Sequence, residues 1–271
     1  MKTNFSQLFS AALLGAAFCA STGLKAQESA ADLAKKLSNP VAALISVPLQ
    51  LNENDNIGPV EDGKRWELNV QPVVPISLNK DWNLISRTIL PIVSQKDISP
   101  GAGSQSGLGD IVQSVFFSPK APTARGWIWG AGPAFLLPTG TDDLLSTRKW
   151  GAGPTAVLLK QESGWTYGAL ANHLWSVAGS SDRADFSATF LQPFLSYSTP
   201  KALTIGLNTE STYDWKKKQW SVPLNLTATQ VVKVGGQLLS VGGGVRYWAT
   251  GPESGPHGWG LRLVVTMLFP K

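Results

Sequence analysis

Two histidines, His173 and His257, bound what catalysis this chain can perform. A histidine beside a serine activates the hydroxyl for acyl transfer, the chemistry that hydrolyses a lipid ester. If His173 lies on a strand, a serine on the same face must sit two residues away. The nearest serine, Ser176, is three away, and Asn172 adjoins His173 but points to the other side. No Gly-x-Ser-x-Gly elbow is present. A triad assembled from distant strands stays open, while His257, in a Gly/Pro stretch, reads as a solvated loop residue.

Metal and phosphate chemistry find equally little support. Asp142 and Asp143, and Asp55 with Glu61 and Asp62, lack the spacing of a calcium loop. The GLGD at 107–110 is followed by no helix that would cradle an anion, so it reads as a tight turn entering a strand. No metal and no cofactor are expected.

The remaining chemistry-bearing residues are charges and amides spaced by two. Trp66, Leu68, Val70, Val74 and Ile76 alternate with Glu67, Asn69, Gln71 and Ser77. Leu203, Ile205, Leu207 and Tyr213 alternate with Thr204, Gly206, Asn208, Glu210 and Thr212, and Trp259 to Phe269 is apolar at every second position. Such alternation marks strands with one apolar and one polar face. If the apolar face meets lipid, an arginine there at mid-membrane costs about 2–4 kcal/mol, so the charges must turn inward. The expected lumen set is Glu67, Asn69, Gln71, Arg87, Asp110, Asn208, Glu210, Asn225, Arg246 and Arg262. Inside a narrow barrel, these groups either pair as a filling or line a mixed-charge channel.

The elements that position them are strands at 41–50, 65–76, 82–94, 107–118, 127–138, 150–161, 165–176, 184–198, 203–213, 220–234, 238–249 and 259–269. An even number, each of about nine to eleven residues or more, suits an outer-membrane barrel. Strands 107–118 and 165–176 alternate poorly, and their faces stay unassigned. On this division, every even-numbered connection but 119–126 is shorter than every odd-numbered one, as expected when long loops face outward. Trp66, Trp150, Trp175, Trp220, Trp248 and Trp259 fall at outer strand ends, and Trp82, Trp127 and Trp165 at inner ends, as two interfacial belts would require. Against this stand Pro48, Pro72, Pro75, Pro91, Pro133, Pro154, Pro193 and Pro223, each of which removes a ladder donor. Bulges or strand ends are expected at several of them.

The N-terminus reads as an export signal: Lys2, an apolar run near 8–20, then small residues, with cleavage expected between Ala20 and Gln27. Cys19 is the only cysteine, and Phe18 before it breaks a lipidation motif. Loss of Lys2 and Lys25 leaves 21 basic against 18 acidic side chains, too mild and scattered a balance for nucleic acid. The domain reading is a signal peptide at 1–26, a short periplasmic helix and linker at 27–40, and a barrel at 41–271. The helix over 28–39 stands before the first strand and ends at Pro40; a lumen plug or an interfacial anchor are the alternatives.

The stretches SNPVAALISVPLQ (38–50), WELNVQPVVPISLNKDWNLISRTILPIV (66–93), GLGDIVQSVFFSP (107–119) and WGAGPTAVLLKQ (150–161) resemble a bacterial family of exported proteins named for the MetA pathway of phenol degradation. The resemblance runs across nearly the whole mature chain. It implies an outer-membrane barrel and uptake of small molecules of hydrophobic or aromatic character. It carries over no catalytic or ligand residues.

The expectation is therefore an all-β fold: a closed antiparallel transmembrane barrel of about 12 strands, monomeric, in the cell outer membrane. It would pass or bind a small solute through a polar lumen. Partners would be outer-membrane lipids, lipopolysaccharide and, during biogenesis, the barrel-assembly machinery, with Lys216, Lys217, Lys218, Arg148 and Lys149 placed to meet lipopolysaccharide phosphates. An outer-membrane lipid hydrolase and a non-conducting structural barrel are the competing readings.

Overall fold

In the computed structural model, which describes residues 29–270, helix α1 (Ala30–Leu37) precedes fifteen strand segments. They are β1 (Ile45–Ile57), β2 (Gly63–Val70), β3 (Val73–Ser77), β4 (Trp82–Lys96), β5 (Ser104–Leu108), β6 (Ile111–Pro119), β7 (Trp127–Leu137) and β8 (Lys149–Glu162). Then follow β9 (Trp165–Gly179), β10 (Ser187–Ser198), β11 (Leu203–Thr209), β12 (Ser211–Asp214), β13 (Gln219–Val234), β14 (Gln237–Thr250) and β15 (Gly258–Phe269). Three neighbouring pairs, β2 with β3, β5 with β6 and β11 with β12, are single staves broken by one or two residues, so the described chain has twelve staves. Each pairs antiparallel with the next, and β1 pairs with β15 from Ile45↔Phe269 to Asn54↔Gly260, which closes the ring. Closure leaves no unpaired sheet edge, the condition a sheet must meet to cross a membrane. The signal-peptide expectation falls outside the described residues.

The outer surface follows from alternation. Leu158, Leu195, Leu207, Leu226, Val241, Leu261 and Leu263 are exposed around the circumference, Leu263 at 58%. An apolar band of that kind fits hydrocarbon rather than water. Aromatic pairs sit at both margins of the band. Trp82 and Trp129, Trp127 and Tyr167, and Trp165 and Tyr197 meet at the short-turn end, with ring centroids 5.8, 6.2 and 4.9 Å apart. Tyr247 with Trp259 (4.9 Å) and Tyr213 with Trp220 (4.9 Å) meet at the other end, where Trp66, Trp150 and Trp175 are also exposed.

The prolines interrupt the sheet in specific ways. Pro72 lies in the break between β2 and β3, and the β13–β14 register shifts between Val222 and Pro223. Pro133 and Pro154 face each other across β7 and β8. On their far sides, the β6–β7 ladder jumps from Ser114↔Ala134 to Phe117↔Ala131, and the β8–β9 ladder from Ala152↔Trp175 to Thr155↔Asn172. Each proline thus places its missing donor where the ladder is already open. Gly153 beside Pro154 is required there: a Cβ would stand 1.8 Å from the His173 carbonyl oxygen.

The connections depart from expectation. β1 continues to Ile57, so the 51–64 loop shrinks to 58–62, and the four-residue connection 215–218 is no longer than 199–202 at the opposite end. Sorting of loop length by parity is therefore weaker than the sequence division implied. The strands project beyond the apolar band and absorb residues assigned to loops.

Candidate functional site: the barrel interior

Three structures occupy the inside of the barrel. At the short-turn mouth lies α1. Ser29 caps it by accepting from the Asp32 amide (3.1 Å), and Asp32 in the first turn with Lys35 and Lys36 in the last suit its dipole. Leu33 and Ala34 are buried among Ala42, Leu44, Ala202, Val231 and Leu268, and Gln161 donates to the Lys35 carbonyl (2.8 Å). The helix is thus seated in the mouth and does not stand clear of it. Beside it, Val41 of the linker joins Ile85, Phe116, Val157, Leu159 and Leu170 in an apolar core inside the β4–β9 wall. The expected polar lumen thus has an apolar sector. The weak alternation of strands 107–118 and 165–176 has its cause here, because the inward faces of β6 and β9 mix apolar Phe116, Leu170 and Leu174 with polar Ser114, Ser118 and Thr166.

At mid-height, five strands and a strand break converge on a charge layer. Arg262 of β15 is 2% exposed and Arg246 of β14 is 6% exposed. Glu210, in the break between β11 and β12, accepts from Arg262 Nη1 (3.0 Å) and Nη2 (2.7 Å) and from Arg246 Nη2 (2.5 Å). Arg262 Nε donates to Asn52 Oδ1 (2.8 Å), and Arg246 Nε to Asn225 Oδ1 (2.9 Å), which in turn donates through Nδ2 to Asn208 Oδ1 (2.9 Å). Two buried guanidiniums sharing one carboxylate, with amides on their remaining donors, form a satisfied network. Glu67 accepts from Asn69 (2.7 Å) on the neighbouring wall, and Arg87 of β4 donates to Gln71 Oε1 (3.0 Å). Arg65 of β2, in register with buried Asn54 and Gln95 and donating to Gln95 (2.9 Å), also faces inward, so Arg65, Arg87, Arg246 and Arg262 outnumber Glu67 and Glu210 by two.

Two sequence assignments fail. Trp248, placed in the outer aromatic belt, points inward: its Nε1 donates to Asn54 Oδ1 (3.0 Å), and Arg246 lies 5.2 Å over its ring. It sits two residues from Arg246 on the same strand, so alternation forces both onto one face. Asp110, placed among channel-lining residues, instead holds a loop. Its carboxylate accepts from Gly140 N (3.0 Å), Ser146 Oγ (2.7 Å), Thr147 N (2.6 Å) and Thr147 Oγ1 (2.7 Å). That loop, 138–148, covers the inner face at the long-loop mouth, where a Cβ on Gly107 would come within 2.0 Å of Thr141 Oγ1. It is latched to loop 180–186 by Asp143, which pairs with Arg148 (2.5 Å) and Arg183 (3.1 Å). Asn52 and Asn54, which the sequence division assigns to a loop, belong to β1.

His173 faces outward. Its Nδ1 lies 2.7 Å from Thr189 Oγ1 and its Nε2 3.2 Å from Ser187 Oγ, both on β10, and Trp215 Nε1 donates to Thr189 (2.8 Å). The same-face serine that its own strand lacks comes from the next one. The group on Nδ1 is a neutral hydroxyl, which stabilises an imidazolium far less than a carboxylate does. Trp175 stacks 4.2 Å from the ring, so His173 joins the outer aromatic margin.

Between α1 and the charge layer lies a cavity of about 300 Å³. Its walls carry Gln50, Gln71, Arg87, Gln192, Asn208 and Phe194, and hydroxyls of β11, β13, β14 and β15. A family model described as "Putative MetA-pathway of phenol degradation" matches residues 64–261. This chain belongs to that family. Among solved structures, an outer membrane channel from Pseudomonas putida F1 superposes with a TM-score of 0.64 at 15% identity, covering 84% of this chain and 96% of that one. The β domain of the Bordetella autotransporter BrkA gives 0.49 at 13%, covering 83% and 99%. Outer membrane phospholipase A from Escherichia coli gives 0.48 at 10%, covering 87% and 98%. No curated protein matches the sequence. At these identities, the P. putida channel establishes the shared barrel fold.

Proposed function

We propose that this chain is a monomeric outer-membrane channel that passes small solutes, hydrophobic or aromatic ones among them, through the interior of its barrel. The observation that supports it most is the pairing of a closed, lipid-compatible wall with an interior holding both a solute-sized cavity and a charge layer. A purely structural barrel has no need of buried arginines, because an apolar filling stabilises at least as well. The P. putida relative of like fold is itself described as a channel. On this reading, α1 faces the periplasm and loop 138–148 the exterior, and solute passes both on its way through. The exported precursor would reach the membrane through the barrel-assembly machinery. Trp215 and Lys216–Lys218 would meet lipopolysaccharide, whereas Arg148 and Lys149 are already paired with Asp143 and Asp185. The reading is non-enzymatic: Thr189 and Ser187 hold His173 against Trp175 in the outer aromatic margin, away from the interior site. The test is swelling of liposomes carrying the refolded protein in isotonic small solutes. Swelling faster than in protein-free liposomes is expected, and equal rates would reject the channel.

A further inference from the structure

The interior arginines are not equivalent. Arg246 and Arg262 are held by Glu210 and by asparagine amides on their remaining donors. Arg87 makes one hydrogen bond, to Gln71, and no carboxylate of the described residues lies within ion-pair distance of it. A guanidinium carries five N–H donors, so most of those of Arg87 are left for something else. It lines the 300 Å³ cavity, and so does Lys36 at the end of α1. Among the described lining residues there is no aspartate or glutamate. The remaining polar lining is neutral and rich in donors: Gln50, Gln192, Asn208 and Thr204. Val73 and Phe194 supply an apolar wall.

From this we infer that the cavity is a binding site for a small organic monoanion, a carboxylate with a compact apolar or aromatic body, held by Arg87. A volume of about 300 Å³ is at the small end of ligand sites, which limits the guest to a ring or short chain bearing one charged group. A planar carboxylate matches the guanidinium fork, and the neutral amides orient it without competing for its charge. A cationic guest would meet the Arg87 guanidinium, with no carboxylate among the described lining residues. The inference rests on the channel reading for the route by which the anion reaches the cavity, but not for its binding there.

The test is calorimetric titration of the folded full-length mature protein in detergent with benzoate, benzyl alcohol and benzylamine, which share size and shape. Benzoate is expected to bind at least about tenfold more tightly than the other two, and Arg87→Gln to abolish that preference while Arg87→Lys retains part of it. Equal binding of benzoate and benzyl alcohol by the unmodified protein would overturn the inference, whether or not the variants fold. So would a benzoate preference untouched in folded Arg87→Gln. Liposome flux separates the two readings: Arg87-dependent benzoate binding without flux supports the site and rejects the channel. Flux of all three solutes at one rate without benzoate binding rejects the site alone.

Discussion

Substituting Glu210→Gln removes the single carboxylate on which Arg246 and Arg262 converge, while keeping its shape. Both guanidiniums are nearly inaccessible, and their Nη2 atoms meet the same Oε2 at 2.5 and 2.7 Å. Removing one partner of a buried pair costs about 3–5 kcal/mol, because the remaining charge stays buried and uncompensated. Here two charges are stranded, yet Glu210 retains 20% side-chain exposure to the lumen, so the lower part of that range, about 3 kcal/mol, applies. Urea unfolding in lipid vesicles, followed by tryptophan fluorescence, measures the loss. The companion Arg262→Met and the double variant complete a cycle, for which a coupling of about 1–3 kcal/mol is expected. A loss below about 1 kcal/mol in Glu210→Gln, with additive behaviour in the double variant, would refute a desolvated charge layer and indicate a water-filled interior.

Three further outcomes follow from particular contacts. Gly153→Ala drives a Cβ to 1.8 Å from the His173 carbonyl and should destabilise the barrel by about 1–3 kcal/mol, measured by the same unfolding assay. Trp248→Phe should leave quenching of tryptophan emission by brominated lipids unchanged, because Trp248 is inside; Trp259→Phe, at 65% exposure, should reduce it. Hydrogen bonds from Arg148 and Lys149 hold the carboxyls of Asp143 and Asp185 below the usual aspartate range. Depressed values mean that the loop latch is in full force above the unfolded aspartate pKa of about 3.9 and weakens as pH falls through the lower folded values. Proteolysis at Arg148 by a protease active in acid should therefore accelerate below about pH 4 and stay flat from pH 5 to 8.

The wall of this barrel was legible because one force dominates it. Lipid outside demands an apolar residue at every second position, and the staves β2–β3 and β11–β12, with β13 and β15, display that rule plainly enough for their outer boundaries to fall within a residue or two. The interior answers to several forces at once and was read less well. Trp248 looked interfacial when judged by residue type, although its two-residue spacing from Arg246 fixed its face. Asn52 and Asn54 looked like loop because polar residues crowd 52–56, yet a polar interior and a solvated loop use the same residue types. Asp110 showed its charge but not its partners, since they lie 30 to 37 residues further along the chain. The apolar core around Phe116 and Leu159 has no periodic signature, because outward residues beside them, such as Phe117 and Leu158, are apolar as well, which erases the alternation locally. Arg87 was recognised as inward, but its lack of an ion partner appears only once all neighbours are placed.

Single-channel recording of the mature protein in a planar bilayer, with a salt gradient across it, tests the account most directly. Discrete current steps with a reversal potential displaced toward the chloride side, as the surplus of interior arginines requires, are the predicted result. A bilayer that stays silent at every voltage, while the same preparation shows the folded barrel by electrophoresis, would contradict it.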